Sequence, residues 1–118
     1  MKFRLVLAIN FVLCVSSTLF AQPKEEHKLV QFQMAILKKG PAWDSTKVED
    51  RNSILQQHLG NVIALLDSGK VIIAGPFEDS SDVAGLFIFR TASADEAKAW
   101  VDADPLVKAG LMVAEMHP

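Results

Sequence analysis

Apolar positions change their spacing repeatedly along this chain, and each change marks an element. From Leu29 to Leu37 the run LVQFQMAIL alternates, with Phe32, Met34 and Ile36 on one side and Gln31, Gln33 and Ala35 on the other. That period predicts a strand. Gly40-Pro41 breaks it. Thr46 and Glu49 then have the spacing of a capping box. From Val48 to Ser68 the residues Val48, Leu55, Leu59, Val62 and Leu66 recur at helical spacing, and Gly69 is a natural stop. The apolar run KVIIAGPF predicts a second strand closed by Gly75-Pro76, EDSSD a turn, and VAGLFIFR a third strand. Ser93 and Glu96 repeat the capping-box spacing ahead of a short helix, ADEAKAWVDA, with Ala94, Ala97 and Trp100 toward the core. In DPLVKAG, Asp104 precedes Pro105 and is pushed toward an extended backbone, so a turn is expected there. LMVAEM predicts the last strand.

The order β-α-β-β-α-β predicts an α+β chain of the ferredoxin-like kind: a four-stranded antiparallel sheet with two helices on one face. The strand GLFIF is apolar on both sides, with Leu86 and Ile88 opposite Phe87 and Phe89. Two helices cover one side only. A sheet apolar on both faces asks for a second cover. The simplest is another copy of the same sheet in a two-fold homodimer. Phe87 or Phe89, whichever points away from the helices, is expected at its centre.

The N-terminus changes the accounting of the chain. Lys2 and Arg4 precede an apolar run from Leu5 to Phe20, and small Ala21 stands before the polar QPKEEHK. This is the pattern of a signal peptide over residues 1–21. Residues 22–28 then read as a flexible polar leader. The expectation is an exported protein, periplasmic or secreted, with no membrane attachment after cleavage. Cys14 falls within the removed segment, so the mature chain has no thiol and no disulfide. Losing 21 residues, two of them basic, leaves 97 residues with ten basic against 14 acidic side chains. One domain fits that length. The balance is acidic and no basic patch stands out, so nucleic acid and anionic membrane surfaces are poor partners.

Candidate chemistry centres on one histidine. His58 stands in QQHLGNVIALL, at the rim of the helix's apolar stripe, with Arg51 almost in line two turns earlier. Read from the residues alone, it fits either a packed core side chain or a group facing a pocket. His27 lies in the leader and His117 beside the C-terminus, and no pair has metal-ligand spacing. No metal site, phosphate loop or dinucleotide fingerprint is expected. Gly75 and Pro76 inside an apolar run mark a strand end, or a place where another group approaches the backbone closely. Trp43 could lid a pocket or pin its loop to the helix. Gly60 in mid-helix costs about 1 kcal/mol relative to Ala, and nothing in the sequence explains it.

The ordered set KKGPAW, His58, SGKVIIAGPFED, VAGLFIF and DADPLVKAGLM resembles the YciI-like, or YCII-related, family over residues 29–118. The resemblance implies a ferredoxin-like dimeric α+β barrel, and with no phosphate loop or dinucleotide fingerprint no cofactor is expected. It implies a catalytic pair, His58 with Asp104 ahead of proline. A small-molecule pocket in front of His58 is expected to be walled by Gly75, Pro76 and Phe77, because glycine there removes a side chain that would crowd it, with Arg51 and Trp43 as further substrate contacts. Many members carry an arginine about one turn before the histidine; Leu55 stands there in this chain. An imidazole ordinarily titrates near neutral pH, and a carboxylate on its far nitrogen fixes the tautomer. Isomerisation or elimination on a small organic molecule is the chemistry this predicts. A non-catalytic ligand-binding dimer is the alternative. A cofactor-free oxygenase with an aromatic pocket near Phe87 and Phe89 is a third, on fold analogy alone.

Overall fold

The computed structural model describes residues 25–118, so the expected signal peptide, including Cys14, lies outside the described residues. The elements are β1 (Gln33–Lys39), α1 (Val48–Asp67), β2 (Val71–Pro76), β3 (Val83–Phe89), α2 (Ala94–Asp102), α3 (Pro105–Lys108) and β4 (Met112–His117). All strand pairs are antiparallel in the order β2-β3-β1-β4. This is the expected α+β sheet, with one short helix more.

Local chemistry explains the departures. β1 begins later than its alternation predicts. Gln33 pairs with Phe89, the last residue of β3, and Met34 with His117, the last of β4. Leu29 to Phe32 therefore meet no neighbouring strand and stay exposed. The first capping box does not form: Lys47 is the N-cap of α1, without a side-chain bond. Thr46 is folded back on the preceding turn, where its hydroxyl donates to the Ala42 carbonyl at 2.7 Å. The second forms by half: Ser93 Oγ accepts from the Glu96 amide at 3.2 Å, while the return bond is diverted to Thr91, whose hydroxyl donates to the Glu96 carboxylate and accepts from the Ser93 amide. Gly69, at φ 73°, ends α1 as its sequence predicts. The expected turn after Asp104 closes into α3, because Asp104 caps it and Pro105 fills its first position.

Both long helices lie on one face of the sheet. Ala35 and Leu37 of β1 and Phe87 and Phe89 of β3 meet Leu65 of α1 and Ala97 and Val101 of α2 in one buried cluster. Phe87 stacks on Phe89 with ring centres 5.4 Å apart. Both rings are essentially fully buried, each contributing about 1.5–3 kcal/mol of transfer free energy. The expectation that one of them faces away from the helices is thereby corrected. Period 2 puts them on the same side, and the helices claim that side. The outer face carries Met34, Ile36, Leu86 and Ile88 on the two central strands, half-buried, with Ile73 and Val113 half-exposed beside them.

β2 and β3 come unusually close near the cavity described next. A Cβ on Gly85 would stand 2.8 Å from the Gly75 carbonyl oxygen, closer than real side chains approach. Glycine at position 85 is what lets the hairpin close there.

Candidate active site

Asp104 is the fixed point of the site. It stands between α2 and α3 with an extended backbone (φ −65°, ψ 134°), the conformation that a following proline favours. Its side chain is fully buried. A buried carboxylate must find donors, and three converge on this one. Oδ1 accepts from the Leu106 amide at 2.9 Å. Oδ2 accepts from Asn61 Nδ2 at 2.9 Å and faces His58 Nδ1 at 2.7 Å. A carboxyl group that accepts at both oxygens is matched by its ionised form.

α1 supplies the partners. His58 and Asn61 are three residues apart, so they lie on the same side of the helix and reach the same carboxylate. The imidazole is also held from the sheet. Phe87 meets it edge-on, with ring centres 6.0 Å apart and planes at 71°. An ionised carboxylate only accepts, so the nitrogen facing it carries the proton: neutral His58 is the Nδ1–H tautomer. Nε2 is then left with its lone pair, while the side chain keeps 14% of its exposure.

His58 opens on a cavity of about 420 Å³ between α1 and the β2–β3 hairpin, floored by residues of β1, α3 and β4. Gly75 and Pro76 wall it, with Leu55 and Leu59 on the α1 side and Phe87 behind. A Cβ on Gly75 would touch no protein atom within 4 Å. Glycine at position 75 leaves that space open.

The other residues singled out from sequence do not line this cavity. Phe77 is exposed past the end of β2. Arg51 Nη1 donates to the Trp43 carbonyl at 2.9 Å, and its guanidinium lies 5.0 Å from the centre of the Trp43 ring. Lys39 reaches the same ring at 5.5 Å. Trp43 thus ties its loop to α1, the second of the two roles open to it. Asn61 was not singled out. Its signal is faint: one amide in the apolar run LGNVIALL, on the side of the helix that His58 occupies.

The profile of the YCII-related domain matches residues 29–116. The proteins called Protein YciI from Escherichia coli O6:H1 and from Shigella flexneri are each 39% identical to the chain over 72 residues, which is 54% of this chain and 74% of theirs. A similar solved structure is the 5-chloro-2-hydroxyhydroquinone dehydrochlorinase of Burkholderia phenoliruptrix AC1100 in complex with 2,5-dihydroxybenzoquinone. It superposes with a TM-score of 0.52 and 22% identity, over 73% of this chain and 91% of that one. At that identity the likeness is one of fold.

Proposed function

The chain belongs to the YCII-related family, and from that premise we propose that it is a small-molecule enzyme in which His58 moves a proton and Asp104 orients and charges it. The observation that carries this reading is the 2.7 Å contact between His58 Nδ1 and Asp104 Oδ2, with the ring on a cavity wall. Nε2 takes a proton from a bound molecule. The imidazolium that results is stabilised by the carboxylate behind it. The proton returns to another atom of the molecule, or leaves with a departing group. Acid–base help of this kind is worth about 10²–10⁴-fold. Isomerisation and HX elimination both fit. A dehydrochlorinase with the same fold lends the second some support.

The protein acts as a homodimer in this reading, joined through the outer sheet face of Met34, Ile36, Leu86 and Ile88. It works outside the cytoplasm, as the basic and then apolar start of the chain suggests. The nearly all-apolar cavity wall also favours a second reading, a ligand-binding module without turnover.

Deuterium exchange separates the two. A panel of enolisable ketones and phenols is incubated with the protein in D₂O and followed by NMR. Exchange at carbon accelerated by the protein and lost in His58→Gln supports the enzyme. Binding without accelerated exchange for any member of the panel favours the module.

A further inference from the structure

The cavity in front of His58 is poor in charge, and that decides what can enter it. Among the described residues that line it, His58 alone has an ionisable side chain. Leu55 stands one turn earlier on α1 and forms part of the wall. Arg51, one turn earlier again, is held on the Trp43 carbonyl and ring. The Asp104 carboxylate lies directly behind the imidazole, and it is negative. A carboxylate or phosphate entering this space would shed its water, meet no cation and approach an anion. Each of those costs affinity.

Resting on the acid–base reading above, we infer that the site takes compact, uncharged, mostly apolar molecules with one weakly acidic O–H or C–H group, and excludes carboxylates and phosphates of the same size. Phenols, enols and enolisable ketones are the chemical class. The step balances without a co-reactant. The X–H bond breaks, its proton forms a new N–H bond at Nε2, and its electron pair stays on X. The anion appears only together with the imidazolium beside it, so the cavity never holds an unpaired charge. A volume of about 420 Å³ lies toward the small end of ligand pockets and suits a single substituted ring. Leu55 is the residue that sets this selectivity. A cationic side chain there would enter the cavity one turn from His58.

The test compares 4-nitrophenol with 4-nitrobenzoate, similar in size and unlike in charge, at about pH 6.8, where the phenol and an ordinary imidazole are both mostly uncharged and the benzoate is ionised. Dissociation constants are measured for wild type, Leu55→Arg and His58→Gln, and the visible nitrophenolate band is followed on binding. Wild type should bind the phenol at least about tenfold more tightly than the benzoate, a difference of about 1.4 kcal/mol. Leu55→Arg should narrow or reverse that ratio. The nitrophenolate band should grow on binding to wild type and not to His58→Gln. Equal affinity for both probes in wild type overturns the selectivity, and so does failure to bind either at millimolar concentration. Equal affinity with a growing band would still leave the acid–base reading standing. Selective binding of the phenol with no band would uphold the selectivity and count against that reading.

Discussion

The side-chain amide of Asn61 donates to Oδ2 of Asp104 at 2.9 Å, on the same oxygen that faces His58. The contact joins α1 to the α2–α3 junction and fixes which way the carboxylate turns. Hydrogen bonds to charged groups are worth about 1.5–3 kcal/mol. Asn61→Ala should therefore destabilise the protein by about that amount in urea unfolding. Asn61→Asp keeps the shape, removes the donor and adds a second negative charge beside Asp104. It should cost more than the alanine variant. Equal stability of all three proteins would mean that the amide has no hold on the carboxylate.

The outer sheet face yields a pair of contrasting variants. Ile88 faces away from the helices beside Met34, while Phe87 is buried in the core. Ile88→Asp should leave the fold intact and convert a dimer to monomer in size exclusion with light scattering. Phe87→Ala should instead cost about 3–5 kcal/mol of stability through the cavity it leaves. A wild-type monomer at micromolar concentration would contradict the dimer directly.

Gly60 stands in the middle of α1, and a Cβ there would meet no atom within 4 Å apart from its chain neighbours and the backbone of its own helix. No packing requirement accounts for it. Gly60→Ala should stabilise the protein by about 0.5–1 kcal/mol. A loss of stability, seen as a lower melting temperature, would show that the position is covered by something in solution.

Acid should weaken an ion cluster at the β1–β4 edge. Lys38 Nζ lies 2.5 Å from Glu115 Oε2, and His117 Nε2 lies 2.9 Å from Oε1. The hydrogen bond from Lys38, followed by that from His117, holds the Glu115 carboxyl below its ordinary 4.5. The folded value is the depressed one, so the contribution to stability is complete above 4.5 and is lost as pH falls through the lowered value. The effect is small at so exposed a site. Glu115→Gln should make the acid limb of the melting-temperature profile shallower. An unchanged acid limb would remove Glu115 from the account.

Much of the fold is legible in the spacing of apolar residues, because strand and helix periods impose the pattern directly. The limits are equally physical. Alternation across Leu29–Leu37 marks where a strand could form, but pairing needs neighbours, and β3 and β4 end opposite Gln33 and Met34. The same alternation cannot say which side of GLFIF the helices will claim. Thr46 and Glu49 have the right spacing for a cap, yet the loop's bond to Ala42 takes the hydroxyl first. His58 and Asp104 are 46 positions apart, and only family resemblance joined them before the fold did. Asn61 became visible once Asp104 was in place beside it. Arg51 and Trp43 satisfy each other through a backbone carbonyl, which no side-chain pattern encodes.

The proposed chemistry rests on Asp104 holding neutral His58 with its proton on Nδ1, which leaves Nε2 basic toward the cavity. Long-range ¹H–¹⁵N correlation of the imidazole ring reads this directly, with the His58 signals identified by their loss in His58→Gln. Neutral wild-type His58 should show a protonated Nδ1 and an unprotonated Nε2, and Asp104→Asn a mixture or reversal of tautomers. A wild-type ring protonated at Nε2, or a spectrum that Asp104→Asn leaves unchanged, would contradict this assignment.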